Sequence, residues 1–168
     1  MGDKIEVRYQ GPNITPGYWR APEVTKDAFD EEGFFKSGDA VQWIDPSNIH
    51  LGLKFDGRIA EDFKLATGTF VSVGPLRAKI ITAGAPYVQD AVITGLNMKE
   101  VGAMLFTTSK VRELAGLSSN ATLPEVLQHP KVLAHFQTVL NQLAAKATGS
   151  ANRVARLLLL SEPPSIDK

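Results

Sequence analysis

Cysteine is absent from these 168 residues. That excludes a disulfide framework, a thiolate zinc or iron–sulfur site and a cysteine nucleophile, and nothing else marks a secreted context. The sequons at Asn13 and Asn120 therefore carry no weight. Long apolar runs are also lacking: Leu157–Leu160 is far short of a membrane span, and Met1-Gly2-Asp3-Lys4-Ile5-Glu6 has no signal-peptide core, so a cytoplasmic location without a membrane partner is expected. An excess of charge of either sign is missing too. With 18 Lys and Arg against 18 Asp and Glu, the general electrostatic case for a nucleic-acid partner disappears. The phosphate loop GxxxxGK[ST], GxGxxG and the GxSxG elbow do not occur, which excludes a complete nucleotide-hydrolysing site within the chain.

What is present is an ordinary globular composition, 43% hydrophobic and 21% charged, long enough to bury a core unaided. Residues 1–57 hold 6 basic and 10 acidic side chains and residues 58–168 hold 12 and 8, giving −4 and +4. Alternation at Ile5, Val7 and Tyr9 predicts a strand ended by Gly11-Pro12-Asn13, and Pro22 opens a short helix to about Phe29 with Gly33 beyond it. Short strands are expected near 34–36, 40–44 and 51–55, making a β-rich unit too small to be comfortable alone. After Asp56-Gly57-Arg58 the acidic residues thin out and the helices lengthen, so a boundary is placed between 57 and 58.

In the second part, 63–65 and 70–73 flank Ala66-Thr67-Gly68-Thr69 as a hairpin, and Pro75 starts a helix closed by Gly84. Val88–Thr94 and Val101–Thr107 read as antiparallel central strands backed by helices. Ser109 is placed to cap a helix up to Gly116, and Thr122-Leu123-Pro124-Glu125 has capping-box spacing before a helix interrupted at Pro130. Val132, Leu133, Phe136, Val139, Leu140, Leu143 and Ala147 recur as the core stripe of an amphipathic helix, and 153–160 reads as a final strand. The expected architecture is α+β.

Few polar residues stand out for chemistry. Asp39 follows Gly38 in a turn between two short strands, and Arg58 follows Gly57 at the boundary. A carboxylate beside a guanidinium can hold a ribose diol and a phosphate; a turn aspartate and an interdomain salt bridge fit the same pattern. Lys64 is either a ligand contact or a solvated hairpin lysine, with Gly68 offering close backbone approach. The acidic group Glu23, Asp27, Asp30, Glu31 and Glu32 lacks calcium-loop spacing and reads as a solvated face, so no metal site is assigned. His50, His129 and His135 fit no zinc site or triad, and His129 before Pro130 reads as a helix-boundary residue.

Four motifs in order then carry a resemblance. Gly17-Tyr18-Trp19 before Pro22-Glu23 and Thr25, Phe35-Lys36-Ser37-Gly38-Asp39, Asp56-Gly57-Arg58 with Lys64 and Gly68, and Pro86-Tyr87-Val88-Gln89-Asp90-Ala91-Val92 resemble the AMP-forming acyl-CoA synthetases. Phe55 to Thr69, Val71 to Arg77 and Leu158 to Asp167 are most similar to the feruloyl-CoA synthetase branch.

The resemblance implies the C-terminal part of an adenylate-forming ligase: the end of the large adenylation domain in 1–57, then the mobile C-terminal α+β domain in 58–168. The co-substrates would be ATP with Mg2+ and coenzyme A, none held tightly by this piece alone, and the substrate an aromatic acid such as ferulate. By position Asp39 would bind the ribose hydroxyls of AMP and Arg58 the ribose or phosphate. Lys64 would approach AMP, Ala60 or Glu61 would lie at the hinge, and Gly68 with Thr69 would line the coenzyme A channel. At the hinge many relatives carry aspartate or lysine, a departure here. The partner implied is the N-terminal adenylation domain preceding Met1, and the catalytic lysine is expected beyond Lys168, so this chain is expected to be inactive alone. The alternatives are a non-catalytic module of the same fold and a ligase for another carboxylic acid.

Overall fold

In the computed structural model, residues 4–117 and 120–162 are described. Pro163 to Asp167, part of the motif at the end of the chain, and Lys168 lie outside them. The chain divides into two compact units between Asp62 and Phe63, past the 57/58 boundary read from composition.

The first unit is a three-stranded antiparallel sheet in the order β1-β2-β3, formed by β1 (Ile5–Tyr9), β2 (Phe35–Trp43) and β3 (Leu53–Arg58). Helix α1 (Pro22–Ala28) lies between β1 and β2 in sequence and takes Pro22 at its first position, where a missing N–H costs nothing. The expectation of separate strands at 34–36 and 40–44 is corrected. The two are one strand, and Gly38, read as a turn, is an irregularity within it at φ +73°. A glycine followed by a polar residue interrupts the alternation in either case, so pattern alone does not tell a turn from a bulge. Leu51, expected in the third strand, belongs to a 3-10 turn over Ile49–Leu51. Among the described residues of this unit Ala40 is the one fully buried hydrophobic side chain.

The second unit opens with the hairpin β4 (Phe63–Lys64) and β5 (Phe70–Val71), closed by Leu65 N–H donating to Thr69 O at 2.9 Å. Helix α2 (Val73–Gly84) starts two residues before Pro75, which still falls in the first turn, where backbone N–H groups have no helical acceptor. Strands β6 (Val88–Thr94) and β7 (Val101–Thr107) pair antiparallel. Helices α3 (Val111–Ala115), α4 (Leu123–Leu127) and α5 (Pro130–Ala145) follow, and β8 (Val154–Leu160) returns parallel to β7. The sheet order β6-β7-β8 makes β7 central and β6 an edge, correcting the view of both as central. Helix α2 packs on β6, and α5 packs on β8 and on α2. Between them they bury Ile80, Val101, Leu105, Val132, Phe136 and Val154.

Two local expectations at the helices change. Lys110, not Ser109, precedes α3; Ser109 contributes only its carbonyl, to Arg112 N–H. The capping box at Thr122 and Glu125 is formed, and His129 caps α5 by accepting from Lys131 N–H. Within α5 the core face is Val132, Phe136 and Val139 with Leu140 and Leu143 partly buried. Leu133 is 51% exposed because it sits about 100° round the helix from Val132, and Ala147 lies past the helix end.

Arg77 on α2 and Asp90 on β6 form a bidentate pair, with Nε and Nη2 each donating at 2.7 Å. These bonds, with Ala91 N–H, hold the Asp90 carboxyl below its usual range. Such a group stabilises the fold above the carboxylate's unfolded pKa of about 4, and that stability is lost as pH falls through the lowered folded value. Asp90→Asn is therefore expected to melt below the parent at pH 7, with the gap closing below pH of about 4; thermal melts across pH check this. Phe136→Ala is expected to cost about 3–5 kcal/mol and Leu133→Ala less than about 0.5 kcal/mol in denaturant unfolding.

Candidate functional site

Asp39 on β2 and Arg58 at the end of β3 are cross-strand partners. Arg58 Nη1 donates to Asp39 Oδ1 at 2.8 Å, with side-chain exposures of 53% for Arg58 and 31% for Asp39. The pair is thus neither a turn aspartate nor an interdomain bridge: both residues sit on one sheet. One hydrogen bond between them leaves Asp39 Oδ2 and further guanidinium N–H groups for a ligand.

The backbone around the pair is fixed by polar contacts. Ser37 Oγ accepts from Asp39 N–H at 3.0 Å and donates to Val7 O at 2.5 Å. Gly38 N–H donates to Glu6 Oε1 at 3.1 Å. Glu6 also accepts from Arg8 Nε, and Arg8 Nη1 donates to Asp30 Oδ2, both at 2.8 Å. Asp30 is held below the ordinary carboxylate range, first by Phe34 N–H and then by Arg8 and Glu32 N–H, while the two carboxylates raise the Arg8 guanidinium. Gly38 is needed here for its backbone: a φ of +73° is costly for a residue with a Cβ, while a Cβ there would meet Arg58 Nη2 at an ordinary contact distance of 3.6 Å.

Gly17 and Thr25 explain the preceding motif. Thr25 Oγ1 accepts from Tyr18 N–H at 2.8 Å and donates to Ala21 O at 2.9 Å, tying the turn to α1. A Cβ on Gly17 would fall 2.5 Å from Thr25 Cγ2, so only glycine admits this threonine.

Ala60 and Glu61 are exposed on a 3-10 turn, Ile59–Glu61, that follows β3. Lys64, Gly68 and Thr69 belong to the hairpin of the second unit. Lys64 is exposed, and its carbonyl accepts from Asn97 N–H at 3.0 Å. Gly68 takes φ +81° with open space where a Cβ would be. Thr67 and Thr69 share a hydroxyl hydrogen bond at 2.9 Å, and Ser150 reaches Thr69 at 3.4 Å. Sequence reasoning missed Glu6, Arg8, Ser37 and Ser150. Spacing gave a signal for the first two, since positions 6 and 8 share a strand face.

Among the described residues no group of three or more His, Cys, Asp or Glu is placed to hold a metal ion, and no helix is long and apolar enough to cross a membrane. His135 packs edge-on against the Tyr87 and Phe136 rings.

No protein-family model matches the chain. The chain is 24% identical over 173 residues to probable acyl-activating enzyme 16, chloroplastic, of Arabidopsis thaliana, a match over 99% of this chain and 24% of that protein. It is 25% identical over 139 residues to probable 4-coumarate–CoA ligase 2 of Dictyostelium discoideum, covering 82% of this chain and 24% of the relative. In structure it resembles the adenylation domain of a carboxylate reductase from Mycobacterium chelonae, with a TM-score of 0.65 and 28% identity over 96% of this chain and 23% of that one. The chain thus spans about a quarter of the length of these proteins, and what it resembles are AMP-forming, acyl-activating ligases and their adenylation domains.

Proposed function

We propose that this chain is the C-terminal part of an ATP-dependent, AMP-forming ligase. The ligase joins a carboxylate to AMP with release of pyrophosphate, and coenzyme A sulfur then displaces AMP to give the thioester. The observation that carries this reading is the exposed Asp39–Arg58 pair, set at a bulge by Gly38 and Ser37. A carboxylate accepts from both hydroxyls of a ribose, and a guanidinium forks onto an adjacent phosphate or ribose oxygen. Mg2+ arrives with ATP as part of the substrate.

On this reading the first unit, through Asp62, ends the large adenylation domain, and the second, from Phe63, is its mobile partner, a boundary past the one between 57 and 58 read from composition. Ala60 or Glu61 is the pivot, Lys64 approaches the nucleotide, and Gly68 with Thr69 lines the coenzyme A passage. The acyl pocket and catalytic lysine belong to segments outside these 168 residues. Ferulate, or a related aromatic acid, is the substrate we favour on the strength of the motifs from Phe55 to Arg77. An apolar sheet face supports a piece of a larger protein over a free-standing module. Ile5, Val41 and Phe55 are joined across β1-β2-β3 by register, Trp43 and Leu53 extend the same face, and Phe55 is 61% exposed. A contiguous apolar face of this kind marks a covered surface.

The 168-residue chain alone is expected to form no thioester from ferulate, ATP and coenzyme A; adenylate formation by the purified chain would refute the assignment. In the longer ligase Asp39→Ala is expected to lower kcat/KM for ATP at least about tenfold, since a charge-assisted hydrogen bond is worth about 1.5–3 kcal/mol. Arg58→Ala is expected to impair both half-reactions. Parental ATP kinetics with a lowered melting temperature would instead mark the two residues as a structural ion pair.

A further inference from the structure

Lys4, like Arg8, pairs with two carboxylates of the first unit, and it adds a bond to a backbone carbonyl. Its ammonium group donates to Asp56 O at 2.8 Å, lies 2.6 Å from Asp62 Oδ2 and 3.4 Å from Asp56 Oδ2, and its side chain is only 14% exposed. The Asp62 side chain is 3% exposed. The two aspartates bracket residues 57–61, and within that bracket lie Gly57 at φ +92°, Arg58, and the 3-10 turn that Asp62 N–H closes onto Ile59 O at 3.4 Å.

The ladder alone fixes this bracket weakly. The β2–β3 register shifts between Asp39 and Val41, so Arg58 is paired beyond an irregularity and not by continuous ladder. Residue 4 directly precedes β1, and β1 and β3 are the two outer strands of the sheet, so the tie spans β2. Removing the Lys4 ammonium takes away the group that bridges Asp56 and Asp62, so the ionic tie from residue 4 to both ends of the segment is lost. Movement at Asp56 and Asp62 is movement of the five residues between them.

We propose that Lys4 is a positioning residue for Arg58: by tying both ends of the 57–61 segment it holds the guanidinium where it meets Asp39 and a bound nucleotide. The nucleotide part rests on the ligase reading above. Lys4 touches no substrate and acts through the segment it ties.

The test compares Lys4→Met, Lys4→Arg, Asp62→Asn and Asp39→Ala in the longer ligase. Lys4→Met is expected to raise KM for ATP about tenfold with kcat within about threefold, because nucleotide binding is lost in ground and transition states alike. Lys4→Arg, which keeps the charge and its donors, is expected to return KM to within about threefold of the parent. Hydrogen exchange on the 168-residue chain is expected to show faster exchange in Lys4→Met for amides 57–62, with β7 unchanged. If Lys4→Met does not fold, Asp62→Asn carries both measurements with the same expectation. Unchanged KM for ATP in a folded Lys4 or Asp62 variant, while Asp39→Ala raises it, overturns the positioning role and leaves the ligase reading standing. Unchanged KM in Asp39→Ala overturns the ligase reading of the pair. Unchanged exchange at 57–62 then overturns the tie itself.

Discussion

In the middle of β2 the chain turns through φ +73° at Gly38, and the arrangement of the first unit follows from what that conformation permits. The bend breaks the regular ladder at Asp39 and leaves backbone donors that side chains must satisfy. Ser37 Oγ takes the Asp39 N–H and Glu6 takes the Gly38 N–H. Glu6 in turn is held by Arg8, and Arg8 by Asp30 at the turn before β2. A glycine, a hydroxyl and three charged groups on two strands and a loop therefore share one task, which is to present Asp39 and Arg58 side by side on an open sheet.

The second unit is organised by packing. Its sheet has β7 in the middle, and its helices lie against the face formed by Val101, Ala103 and Leu105. The opposite face carries Val92, Met104 and Leu158 in one cross-strand row, with Val92 and Leu158 exposed. Burying one face gives a continuous core from α2 through α5 to β8. That is a sound scaffold for a hairpin whose tip, at Gly68, is open backbone.

Local signals were legible in the sequence. Alternation gave β1, continuous apolar runs gave β6 and β7 to the residue, and the capping box at Thr122–Glu125 is formed as its spacing requires. Non-local pairing was not. The parallel docking of β8 on β7 joins residues 53 or more positions apart, and no local pattern encodes which edge a final strand selects. Leu133 was misread because a stripe drawn at i, i+3 and i+4 spacing admits a flanking position that the tertiary contacts exclude. At the site, Asp39 and Arg58 were visible as residues after glycines inside motifs. The network behind them was hidden, since Asp30 looks like one more charge on a solvated acidic face until Arg8 meets it. Lys4 gave no signal at all, because its partners lie 52 and 58 positions away.

The distribution of buried side chains separates the two units physically. Nearly every fully buried hydrophobic residue described belongs to the second unit, while the first contributes Ala40 alone. Apolar burial is the main favourable term in folding, so a small sheet with one open apolar face gains little of it from its own residues. What holds that sheet is instead a set of partly exposed ionic contacts, of the kind that contribute little each in water. Such contacts fix geometry better than they supply stability. A sheet built this way sets the position of its polar groups from within while Trp43, Leu53 and Phe55 stay exposed on its apolar face.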